Sequence, residues 1–183
     1  MTTSECLHFH CTPQLYPQAT LPSDQSRFRY LLPNQAFIGA VQPIIYTPTL
    51  AQPLQMLGQQ LSLLQGLPEV ARETAILTTS TLYRSPYIQY AHTVLAKNAG
   101  LTDAQIALIK EGVRPKSLDD ASSITYDITI EIHNRNFPLS EELWLEGVRA
   151  LGREGVLSLL HYIGHFSHLS IVLNGCGIEA PSV

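Results

Sequence analysis

Cysteine is scarce in this chain of 183 residues: Cys6, Cys11 and Cys176 are the only three. An odd count with no close-paired framework predicts free thiols and a reducing, cytoplasmic compartment. Charge is sparse too. Charged residues make up 14% of the chain against 45% apolar, and the formal net charge is −4. No run of Lys and Arg exceeds two residues, so neither nucleic acid nor an anionic membrane is an expected partner. No apolar stretch is read as long enough to span a bilayer, which takes about 20 residues. MTTSECLHFHC lacks the basic start and apolar run of a signal peptide, so none is expected. The length suits one domain with a sizeable core. So little charge implies helices buried on more than one side or at a subunit interface.

Residues 1–25 carry Pro13, Pro17 and Pro22 among Ser, Thr and Gln. They predict an extended N-terminal arm, followed by a helical domain over residues 26–183. Within the arm, CLHFHC brings Cys6, His8, His10 and Cys11 together, but the spacing matches no common zinc finger. Beyond the arm the punctuation predicts helix after helix. Pro33 opens one through Phe37, Ile38 and Val41. Thr47-Pro48 starts the next, with Leu50, Leu54, Leu57, Leu61 and Leu64 at mixed threes and fours and Gly66 at its end. Pro68 opens a third, from Glu69 to about Tyr83. Ser85-Pro86 is a cap and first-turn proline for a fourth, to Gly100. Thr102-Asp103-Ala104-Gln105 is a capping box, and that short helix stops at Gly112. Ser117 to Asp120 caps a long helix towards Asn136. Ser140-Glu141-Glu142 starts one carrying Leu143, Trp144 and Val148, and a last one runs from near Arg153 to Gly175. ITYDITIEI, residues 124–132, alternates like a strand. A lone strand would have no partner, so a helix is predicted here as well. The expectation is an all-α bundle of about seven to eight helices.

Glu73 shares a helical face with Ile76, Leu77 and Ser80, and His92 shares one with Ile88, Leu95 and Ala99. Both polar groups therefore point inward from helices joined by a tight turn, which should pack antiparallel. Glu73 lies further from the turn than His92, so direct contact needs an offset between the helices, or else a bridging water or side chain. A buried carboxylate must be paired, hydrogen-bonded or protonated. One reading is structural: Glu73 pairs with Arg72, Arg84 or another donor, and His92 is a core histidine. The other is a proton relay, in which the carboxylate orients an imidazole that moves a substrate proton.

LPEVARETAIL, then YIQYAHTVLAKNAGLTDAQIALIKEG, resembles the core of the carboxymuconolactone decarboxylase and alkyl hydroperoxidase D-like family. The opening RFRYLLPNQAFIGAVQPIIYTPTLAQPLQMLGQQL and the closing ALGREGVLSLLHYIGHFSHLSIVLNGCGIEAP are also similar to that family, over roughly residues 27–181. The resemblance implies an all-α, alkyl hydroperoxidase D-like helical bundle and a homo-oligomer, often a trimer or hexamer. In the peroxidase branch a glutamate precedes a CxxCxxxH motif, nineteen positions before its histidine. Glu73 and His92 match that spacing, but the cysteine positions hold Ser85 and Ile88. A serine and an isoleucine cannot cycle through a disulfide, so dithiol peroxidase chemistry is not expected. What remains is the redox-free branch: decarboxylation or isomerisation of a small carboxylated or enolisable lactone or polyketide-like substrate, with no cofactor. His92 is the candidate proton donor, Glu73 its orienting carboxylate, and Arg84 the candidate holder of a substrate carboxylate. Ser85, Ile88, Tyr83 and Tyr87 are the other candidate substrate contacts around the turn. The tyrosines, with Tyr90, suggest a larger and flatter substrate than muconolactone.

His161, His165 and His168 fall on one helical face at offsets of four and seven. They read as polar residues of a subunit interface or pocket, with His161 and His165 ranked as substrate contacts. Alternatively they bind zinc or copper, although no HExxH glutamate accompanies them. His133 reads as a solvent-side residue at a helix C-terminus. Two further classes therefore stand beside the lyase: a non-catalytic or stereochemistry-directing ligand-binding protein of the same fold, and a metal-dependent enzyme using these three histidines.

Overall fold

The structure is a computed structural model that describes residues 47–134 and 138–181, together with Pro43. Among these residues it is all-helical, with six helices: α1 (Pro48–Leu63), α2 (Glu69–Leu82), α3 (Pro86–Ala99), α4 (Asp103–Lys110), α5 (Asp120–Asn134) and α6 (Glu141–Gly175). The predicted arm, the helix opened by Pro33 and the CLHFHC cluster lie outside the described residues. Two helices predicted separately, from Ser140 and from near Arg153, form one element with a break at Gly152, whose φ of 73° is left-handed. Those two facts account for the count of six against seven to eight. ITYDITIEI lies wholly within α5, so neighbouring packing overrides its strand-like pattern.

α2 is the hub, packed against α3, α4, α5 and α6. Every residue from Glu73 to Ser80 on it is buried. Its small Thr, Ala and Ser side chains let four neighbours approach, at the cost of burying hydroxyls. Thr74 and Thr78 offset this by donating back to the carbonyls of Val70 and Thr74 at 2.8 and 2.7 Å. On the facing α5, Thr129 does the same to Thr125 at 2.7 Å.

The caps are met in part as predicted. Thr102 and Gln105 form both halves of their capping box, and Ser140 accepts from Leu143 N. The cap of α5 is Asp119, accepting from Ser122 N at 2.7 Å, whereas Ser117 instead accepts from Gln105. Ser85 sits at the N-cap of α3 without a side-chain cap bond, because the backbone folds its hydroxyl inward.

α6 locks onto the end of α1. Tyr162 Oη donates to the Leu61 carbonyl, which also accepts from Leu64 N, and Ser158 Oγ donates to the Gln65 carbonyl beyond the helix end, each side-chain bond at 2.9 Å. Gly66 and Gly155 are the point of closest approach. A Cβ on Gly66 would stand 2.7 Å from Gly155 N, and one on Gly155 would collide with the Gly66 carbonyl. By length and composition alone α6 passes as a membrane span, its most apolar 18-residue window having mean hydropathy 1.4. In this fold it is a core helix that buries Val156, Leu159, Ile163, Phe166 and Leu173.

Candidate functional site

Glu73 and His92 meet directly. Glu73 is 3% exposed, and its Oε2 lies 2.8 Å from His92 Nδ1. The turn makes this possible. Arg84 takes a left-handed φ of 52° and Ser85 N closes back on the Ser80 carbonyl at 2.8 Å, so α3 reverses tightly along α2. Glu73 stands nine residues before the end of α2 and His92 six after the start of α3. That mismatch is about 4.5 Å along the axis, a stagger that two long side chains span without a bridge.

The other carboxylate oxygen, Oε1, accepts from Arg72 Nε at 3.4 Å, while an Arg72 terminal nitrogen pairs with Glu69 at 2.9 Å. Arg72 also lies 6.0 Å from the Tyr162 ring centroid, at the outer reach of a cation–π contact. Burial works against its charge, but Tyr162, Glu73 and Glu69 outweigh burial and hold the guanidinium above its ordinary pKa. Burial pushes the Tyr162 phenol up, and Arg72 offsets this only in part.

The far side of the site is aromatic. The edge-to-face contact of His92 with Phe166 has a centroid distance of 4.8 Å, and Phe166 stacks on Tyr162 at 6.3 Å. His165 reaches the same Phe166 at 5.3 Å. Burial, then the nearby His168 and His92, lowers the pKa of His165, and its buried Nδ1 has no hydrogen-bond partner among the described residues. The His92 side chain retains 15% of its exposure, and no described residue hydrogen-bonds its Nε2. The Nδ1 edge of the imidazole is thus fixed by a carboxylate, while Nε2 has no hydrogen-bond partner among the described residues.

Of the remaining predicted site residues, two join the site's aromatic cluster and the others lie elsewhere. Tyr87 and Ile88 are buried in the same apolar cluster as Tyr162 and Phe166. Ser85 is fully buried and its hydroxyl has no hydrogen-bond partner among the described residues. Arg84 is exposed at the turn, whereas the cation beside the pair is Arg72. Tyr83 faces elsewhere, edge-on to His133 at 5.3 Å. His161 and His168 are exposed and His165 half-buried. Among the described residues no group of three His, Cys, Asp or Glu side chains converges as a metal site. His133 is not a solvent-side residue but part-buried, with Nδ1 2.8 Å from the Thr129 carbonyl. Phe166 and Tyr162 carried no polar signal in the sequence. Their spacing of four on one helix was the available one.

No family model matches this chain, and no curated protein or solved structure matches it either.

Proposed function

We propose that this chain is a cofactor-independent lyase or isomerase of carboxymuconolactone decarboxylase-like type, in which His92 moves a proton on a small carboxylated or enolisable substrate. The observation that carries this reading is the buried Glu73 carboxylate bound to His92 Nδ1 at 2.8 Å. A carboxylate accepts, so Nδ1 bears the proton, and the neutral ring keeps its lone pair on Nε2. In an isomerisation, Nε2 takes a proton from carbon beside a carbonyl. The electron pair moves into that carbonyl, and the imidazolium returns the proton to a different carbon. In a decarboxylation, the bond to the substrate carboxylate breaks, CO2 leaves and the electron pair enters the conjugated lactone. The ring, having first taken up a solvent proton at Nε2, then delivers that proton to the carbon and returns to its neutral form. Glu73 balances the cationic ring in both. Arg72 is the cation we assign to the substrate carboxylate, because it already flanks Glu73 and a guanidinium fork suits that group.

The test follows hydrogen–deuterium exchange at the acidic carbon of a β-keto lactone in D2O. The wild-type chain should accelerate exchange, and His92→Ala should abolish the acceleration while keeping its helical circular dichroism. Undiminished exchange in His92→Ala would return both residues to a structural role.

A further inference from the structure

A second site lies apart from this pair. Trp144 and Gly164 both line one hollow of about 1060 Å³, with Tyr83, His133, Ile163 and Ser167. On a straight helix Trp144 and Gly164 would stand about 30 Å apart. They share one wall because α6 folds back at Gly152, where a Cβ on Gly147 would come 3.1 Å from Val156. Glu131 steadies the chain entering α6, accepting from Ser140 N at 2.6 Å and Ser140 Oγ at 3.0 Å.

The lining carries its own polar reader. His133 Nδ1 faces the Thr129 carbonyl at 2.8 Å. A carbonyl only accepts, so this nitrogen donates and the lone pair of the neutral ring sits on Nε2. Nε2 is 3.4 Å from Ser167 Oγ, a long contact that a better donor would displace. Tyr83 holds the ring edge-on from the other side. Among the described residues no Lys or Arg lines the hollow, and the acidic one that does is the exposed Glu141.

We propose that this hollow binds an uncharged, flat hydroxylated ring compound, a phenol in its chemistry. Its hydroxyl donates to His133 Nε2 beside Ser167, and its ring lies against Trp144 and Tyr83. Apolar walls with a few placed polar groups are the usual make-up of small-molecule sites. The Glu141 charge turns away carboxylates, so this ligand differs in class from the anionic substrate proposed for Glu73 and His92. The site does not depend on that proposal.

The probes are 4-phenylphenol and biphenyl-4-carboxylate, titrated into the full chain by calorimetry. Trp144, the chain's single tryptophan, reports the same event by fluorescence. The phenol should bind and shift the Trp144 emission, and the carboxylate should bind at least about tenfold more weakly. Gly164→Leu should project a side chain into the hollow and weaken binding, since a Cβ there meets nothing within 4 Å. His133→Phe keeps the ring and loses the acceptor, and should weaken the phenol about tenfold. Light scattering and melting establish that each variant keeps its mass and fold, and if Gly164→Leu does not, His133→Phe decides. Absence of phenol binding to the wild-type chain, equal binding of the carboxylate, or undiminished binding in His133→Phe would overturn the proposal.

Discussion

A carboxylate 3% exposed and an imidazole 2.8 Å from it are one unit rather than two groups. If they serve one proton transfer, their removal cannot add. Glu73→Gln is expected to slow turnover about tenfold or more, and His92→Ala to abolish it. The double variant should then be scarcely worse than His92→Ala alone, and full additivity in the cycle would separate their roles. His165 gives a second expectation. Burial foremost, then His168 and His92, lowers its folded-state pKa below the ordinary 6.5. Between the folded value and 6.5 the unfolded chain binds more protons, so stability rises with pH across that window. The contribution is present above the unfolded pKa and lost as pH falls through the folded one. Wild type should therefore lose more melting temperature between about pH 7.5 and about pH 5.5 than His165→Gln does. Equal losses would remove His165 as a source of acid sensitivity.

At the scale of elements, the contact of Gly66 with Gly155 sets how α6 seats on the loop after α1. Gly155→Ala is expected to destabilise the fold by about 1–3 kcal/mol, although alanine favours helices. For a domain of this size each kcal/mol lowers the melting temperature by roughly 2–4 °C. A raised melting temperature would show that the backbones move apart freely. The contrast with Gly66 explains what was legible beforehand. Gly66 was read as a helix terminator, and it is left-handed at φ 79°, as such glycines are. Gly155 shares no local pattern with it, because the partner lies 89 positions away and no propensity encodes such a contact. Helix identities, the Thr102 capping box and the inward faces of Glu73 and His92 were legible because periodicity and punctuation are local. The direct Glu73–His92 bond, the choice of Arg72 over Arg84 beside it, and the turning inward of His133 were not. Each depends on stagger between helices and on which face of α6 arrives opposite.

For the whole molecule the unresolved balance is apolar surface. Leu157 and Ile171 on α6 are 52% and 58% exposed, and the exposed His161 and His168 lie between them. Spacings of four, seven and three place all four on one stripe, with Gly164 between the histidines at the rim of the hollow. A helix seam of this kind packs against another helix, and no described residue covers it. On this ground, and on the low charge of the chain, we propose a homo-oligomer in which α6 helices of neighbouring copies meet along the stripe. Its two histidines would then be interface residues rather than substrate contacts. Light scattering on the full chain should give a multiple of the 20.2 kDa protomer mass across dilute and concentrated samples. Leu157→Asp with Ile171→Asp should reduce it to the protomer mass by burying unpaired charge in each copy of the seam. Both sites are exposed in the protomer, so helical content should survive the substitutions. A wild-type protomer mass at every concentration would overturn oligomerisation itself. An oligomer that persists in the double variant would move the interface to another face, for which α1 offers the exposed Leu50, Met56 and Leu57.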